Sequence, residues 1–246
     1  MLQRRNRAAQ RKSRYAPMSL TLYYHPFSSY CWKALLALHE NNVPFTARFI
    51  DLGNEKDAAE LKALWPIGKF PVLQDSSRNH VVPESSIIIE YVDQHYPGKA
   101  PLIPSDREQA RQTRMRDRFF DFYVMDQASK IITDNFRPAG KNDPHGVELA
   151  RKALATAYDM LEKDMASKTW AMGDSFTLAD IAASPALFYA DLVEPLASRH
   201  KSAAAYLERL MKRPAFIQVL KDALAVLPAG FPYQSQFKAS VQRLAA

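Results

Sequence analysis

The sequence predicts an α/β domain joined to an all-α domain. Short alternating runs and helical stripes interleave from residue 19 to about residue 96. A stretch with two prolines, "GKAPLIPSD", then reads as a linker, and from Arg107 to about Leu227 only helical periodicity is found. The expected boundaries are a basic extension at 1–17, the α/β domain at 18–103 and the helical domain at 106–240.

Taken in order, "SLTLYY" is a first strand, ended by His25-Pro26, because proline restricts the residue before it. Ser29 to Asn42 follows as a helix with Ala34, Leu35, Leu36 and Leu38 as its apolar stripe, and "VPFTARFIDL" alternates as a second strand. The charged helix "EKDAAELKALWP" stops before Pro66. "GKFPVLQD" is a strand with Pro71 near its start, a position open to proline only on an edge or in a special turn. "SSRNHVV" turns into an antiparallel partner, and "PESSIIIEYVDQHYPG" is expected to be a helix opened by Pro83 and closed by Pro97-Gly98. In the second half, "SFTLADI" has a complete helix start: Thr177 caps, Asp180 reaches back, and Phe176 and Ile181 form a hydrophobic staple. The helix it opens is apolar nearly all round, which places it at the centre of a bundle.

Composition bounds the functional classes. A chain of 246 residues, 47% hydrophobic and 24% charged, is an ordinary globular protein with room for a buried core. The strongly apolar stretch Leu178–Ala190 is broken by Asp180 and falls short of the roughly 20 residues that span a bilayer, so no membrane segment is expected. A single cysteine excludes an internal disulfide and leaves the cytoplasm as the default compartment. The net charge of +7 suggests nucleic acid until it is located. Arg4, Arg5, Arg7, Arg11, Lys12 and Arg14 account for nearly all of it in a head without acids, leaving a body close to neutral. That head is read as a disordered or non-native extension, with Met18 as an alternative start; a transit peptide or a contact with RNA or membrane stays open. Six scattered histidines with no H-x-x-x-H pair argue against a metal site.

A βαβ-α-ββα unit with a proline at its third strand, then a linker, then a helical domain with a capped central helix, resembles the cytosolic glutathione transferases. "PFSSYCWKALLAL" aligns best with serine-type members, bacterial and theta- or zeta-like. The resemblance runs from about Ser19 to Leu224 and implies a thioredoxin-like N-terminal domain, a homodimer, and detoxifying conjugation of glutathione to small apolar electrophiles. It implies glutathione as co-substrate, no metal, and neither nucleic acid nor membrane as partner. Residue by residue, it puts Ser28 at the glutathione sulfur, with Ser29 as rival. It makes Pro71 the cis-proline of "IGKFPVL", with the backbone of Phe70 pairing with the cysteinyl part as an added strand would. Glu84 and Ser85 fall at the γ-glutamyl group, and Lys69 and Lys56 near the glycine carboxylate. Trp65 departs from the family pattern, standing where many serine-type members carry asparagine.

These residue types suit the ligand, since two carboxylates and an ammonium group call for donors, a helix N-terminus and one acid. "SSYC" keeps the spacing of a redox C-x-x-C with serine in the first place, so Ser28 is expected to face outward and Cys31 inward, where a buried structural role outweighs a monothiol nucleophile. The serine hydroxyl itself is too weak an acid to be deprotonated here. It is a donor that favours the thiolate of bound glutathione. Met115, Phe119, Phe122 and Tyr123 are spaced to line an electrophile pocket, and Phe231 and Tyr233 to cover it, although such a stripe also suits a core. Isomerisation, dehalogenation and peroxide reduction on the same scaffold, or a non-catalytic binding module, are the competing readings.

Overall fold

Residues 19–243 are described in the computed structural model of the chain; the basic extension at 1–17 and Met18 lie outside them. β1 (Leu20–Tyr24), α1 (Ser29–Glu40) and β2 (Thr46–Phe49) form the βαβ unit, with β1 and β2 parallel and Thr21 opposite Thr46. α2 (Glu55–Leu64) starts at Asn54, whose side chain accepts from the backbone N–H groups of Lys56 and Asp57, and stops before Pro66. β3 (Val72–Asp75) is antiparallel to β1, and β4 (His80–Pro83) is antiparallel to β3. The sheet order is β2-β1-β3-β4. With α1 and α3 (Ser85–His95) packed together, this is a thioredoxin-like domain.

One helix start differs from the expectation. Pro83 does not open α3; it is the last residue of β4, where its missing N–H costs little at the end of an outer strand. The chain turns into the helix through Glu84 at φ +69°, a left-handed value that L-residues avoid, and Ser85 is the first helical residue. Such backbone strain persists only where the surroundings fix it.

The helical part comprises α4 (Arg107–Phe119), α5 (Asp126–Asp134), α6 (Pro144–Met165), α7 (Leu178–Val193), α8 (Lys201–Met211), α9 (Pro214–Ala225) and α10 (Gln234–Gln242). The sequence reads 107–136 as one helical segment, yet Phe120–Met125 is a π-helical turn between α4 and α5. Helix also resumes beyond Leu227 as α10. The capping box forms as expected: Thr177 Oγ1 accepts from the N–H of Ala179, and Asp180 accepts from the N–H of Thr177. α7 is buried along nearly its whole length and packs on α1, α4 and the π turn. Trp32, fully buried on α1, joins the two halves by packing on Phe188, Tyr189, Phe216 and Phe237 while its indole N–H donates to Pro26 O at 2.7 Å. Tyr189 Oη completes that junction by donating to Phe27 O at 3.0 Å.

Candidate functional site

The junction leaves a cavity of about 720 Å³ lined from both halves. Lys69, Phe70 and Pro71 enter from the loop before β3, Glu84, Ser85 and Ser86 from the start of α3, Tyr30 from α1, and Arg118, Asp121 and Phe122 from α4 and the π turn. The Phe70–Pro71 peptide is cis. Five of the residues singled out from sequence, Lys69, Phe70, Pro71, Glu84 and Ser85, thus share one wall, although Phe70 and Glu84 lie on separate loops. Trp65 lines the same space. A second cavity, about 820 Å³, runs along the linker and Phe176 and contains none of these residues.

Ser28 caps α1: its Oγ accepts from the N–H of Cys31 at 3.2 Å, and it is half-buried. It lies outside the cavity lining, two residues before Tyr30. Because a hydroxyl that accepts one bond retains its own proton, the cap leaves Ser28 able to donate. Ser29 is buried on the side of α1 that meets Met125, Pro185 and Ala186. Cys31 is fully buried, and its Sγ accepts from the N–H of His25 at 3.4 Å. Burial pushes its thiol up to about 12, against the opposing contacts from Ser28 and His25. It is therefore a thiol, not a thiolate, at neutral pH.

His25 closes the other side of the α1 start, stacked on Phe70 with ring centroids 5.6 Å apart. Burial lowers its pKa, against the pull of Asp51. Nδ1 accepts from the N–H of Phe27 at 3.2 Å, so the proton of the neutral ring sits on Nε2.

The remaining candidates separate. Phe122 lines the cavity, whereas Phe119 is 5% exposed in the core and Met115 and Tyr123 are exposed on the surface outside the lining. Lys56 is exposed on α2, also outside it. Phe231 and Tyr233 do not cover the cavity; Phe231 packs on Phe27 and Phe237, and Tyr233 on Phe231.

Sequence reasoning missed a cluster behind this wall. Lys33, 1% exposed, donates from Nζ to Asp117 at 2.7 Å, to both oxygens of Asp121 at 2.8 Å and to Ser86 at 3.0 Å. Burial raises the Asp117 carboxyl, but Lys33, Arg118 and Ser86 outweigh it and hold the group below its ordinary value. For Asp121 burial dominates, and with Asp117 beside it the pKa rises despite Lys33. The available signal was Asp117 and Asp121 four residues apart on a helix, with a lysine inside an apolar stripe. Among the described residues no group of three or more His, Cys, Asp or Glu could hold a metal ion, and no helix is long and apolar enough to cross a membrane.

A thioredoxin-like domain carrying a cis-proline wall, capped by a helical domain, defines the glutathione transferase class. Residues 22–100 match the family model of the glutathione S-transferase N-terminal domain and residues 144–209 that of the C-terminal domain. The chain belongs to the glutathione S-transferase family. It is 33% identical to glutathione S-transferase U25 of Arabidopsis thaliana over 63% of this chain and 65% of that protein. It is 27% identical to a probable maleylacetoacetate isomerase of Caenorhabditis elegans over 82% of this chain and 92% of that protein. A glutathione S-transferase from Methylobacillus flagellatus KT, solved with glutathione bound, superposes with a TM-score of 0.74 at 26% identity, covering 82% of this chain and 98% of that one.

Proposed function

We propose that the protein is a cytoplasmic, homodimeric glutathione transferase of the serine type, theta- or zeta-like, divided at 18–103 and 106–240, that conjugates glutathione thiolate to small apolar electrophiles. The observation that carries this reading is the common wall formed by Lys69, Phe70, cis-Pro71, Glu84 and Ser85. Glutathione offers complementary groups. Its γ-glutamyl carboxylate meets the N-terminus of α3 and the Ser85 hydroxyl, its ammonium group meets Glu84, its cysteinyl amide pairs with the Phe70 backbone, and Lys69 faces the glycine carboxylate, with Lys56 acting at longer range. Ser28 donates to the sulfur, and the thiol proton leaves to solvent. The thiolate then attacks the electrophilic carbon, a C–S bond forms and the leaving group departs with its electron pair. Phe122 supplies apolar contact for the electrophile.

Retention on immobilised glutathione followed by turnover of 1-chloro-2,4-dinitrobenzene tests the proposal. Neither binding nor turnover on this or other aryl and alkyl halides overturns it. A second reading, glutathione-dependent isomerisation, is favoured by the similarity to a probable maleylacetoacetate isomerase along most of its length. Cis–trans isomerisation without consumption of glutathione would select it; dehalogenation and peroxide reduction are read by halide release and oxidised glutathione. Binding without turnover of any kind would mark a non-catalytic module.

A further inference from the structure

Arg118 stands where the buried cluster opens into the cavity. Its Nε and Nη2 donate to Asp117 Oδ2 at 3.1 and 2.6 Å, and Nη2 also donates to Ser86 Oγ. The guanidinium lies over the ring of Phe122 at 5.6 Å. One edge of its fork is thus fixed by groups that Lys33 holds from behind, while the side chain is 49% exposed and lines the cavity. Among the described residues, no hydrogen bond occupies Nη1 of Arg118.

Two other cations line the cavity. Arg114 spends both arms of its fork on Glu90, at 2.7 and 2.8 Å. Lys69 lines the cavity from the cis-proline loop. A ligand with two carboxylates therefore finds one cation at Lys69 and needs a second near Ser85. Ser86, whose hydroxyl Arg118 touches, is the next residue in the chain.

We propose that Arg118, from the helical half, binds the α-carboxylate of the γ-glutamyl group, and that the cluster of Lys33, Asp117, Asp121 and Ser86 holds its guanidinium in place for this. The inference rests on the reading of the cavity as the glutathione site. It makes the γ-glutamyl subsite a joint product of both domains: Glu84 and Ser85 supply an acid and a helix terminus, and α4 supplies the cation. A guanidinium fixed on one edge offers its remaining N–H groups with little further ordering, which lysine cannot reproduce.

The test is calorimetric titration of the full chain and its R118Q and R118K variants with glutathione, and with the analogue whose γ-glutamyl α-carboxylate is a carboxamide. R118Q is expected to weaken glutathione about 10- to 100-fold, the range of a hydrogen bond to a charged group. It should leave the carboxamide analogue unchanged, since the partner it loses is already absent, and R118K should fall between. Equal weakening of both ligands means a structural role and overturns the proposal, as does unchanged affinity for glutathione. If the unsubstituted protein binds neither ligand, the reading of the cavity falls and this inference with it. If only the R118Q result is negative, the reading of the cavity stands.

Discussion

Both carboxylate oxygens of Asp121 lie 2.8 Å from Nζ of Lys33, across the boundary between the α/β and helical halves, and both residues are buried. Removing one partner of a buried ion pair leaves an uncompensated charge, which costs about 3–5 kcal/mol. Lys33→Met is therefore expected to lower stability by that amount in urea denaturation, and Lys33→Met combined with Asp121→Leu by clearly less. A single substitution as benign as the double would mean that water reaches the cluster.

Cys31 draws attention as the chain's one cysteine, but its burial and its thiol at about 12 make it inert. Native protein should resist iodoacetamide at pH 8, and Cys31→Ala should keep its turnover while losing some stability from the small cavity left. Loss of turnover together with rapid alkylation would reinstate it as a nucleophile.

Most of the fold was legible because its signals are local: the alternation of "SLTLYY", the prolines at 66 and 71, and the Thr177–Asp180 box each act within a few residues. What escaped depends on partners distant in sequence. The positive φ of Glu84 follows from joining β4 to α3, so Pro83 alone suggested a helix start that the strand claims. The π turn at 120–125 sits in a segment whose periodicity is helical throughout. Phe119 and Phe122 look alike in an apolar stripe, and only tertiary packing sends one to the core and the other to the cavity. Lys33 sits in the apolar stripe of α1 with no acid nearby in sequence, and only the fold brings Asp117 and Asp121, more than 80 residues later, to it.

Asp75 gives the α/β domain a pH dependence with a definite sign. Burial raises its carboxyl, but hydrogen bonds from the hydroxyls of Ser77, Tyr96 and Tyr91 and from the Ser77 N–H outweigh this and bring it to about 2. A folded-state pKa below the unfolded one contributes stability above the unfolded value, here 3.8, and that contribution is lost as pH falls toward about 2. Asp75→Asn should remove this part of the acid dependence. Urea midpoints measured at several pH values between 5 and 2 would show it as a shallower decline; parallel curves for the two proteins would refute the assignment.

Ile87 on α3 and Phe122 in the π turn, 52% and 48% exposed, line the cavity, and Met115 on α4 is 43% exposed outside its lining. An association surface needs exposed apolar side chains that lie together. If the homodimer forms through these, Ile87→Glu with Met115→Glu should convert the protein from twice the chain mass to a monomer by light scattering, without loss of helical content. An unsubstituted protein that is monomeric at micromolar concentration would rule the dimer out.

The role proposed for Ser28 sets a quantitative demand. Lowering a thiol from about 8.5 to about 6.5 requires roughly 2.7 kcal/mol. A hydrogen bond to a charged group contributes about 1.5–3 kcal/mol and a helix N-terminus about 0.3–1, so the hydroxyl and the start of α1 together suffice without a base. Ser28→Ala should therefore raise the apparent pKa in the pH profile of kcat/KM by about 1–2 units and leave the Kd for glutathione nearly unchanged, since Ser28 lies outside the wall proposed to hold the peptide. It should also cost about 1 kcal/mol of stability, because the N–H of Cys31 loses its cap. Ser29, buried against the helical half, should leave the profile where it is when changed to alanine. A profile that moves with Ser29→Ala and not with Ser28→Ala would transfer the role to Ser29. No movement in either would mean that the thiolate is stabilised by the helix terminus or by the Nε2–H of His25, and His25→Phe would then separate the two.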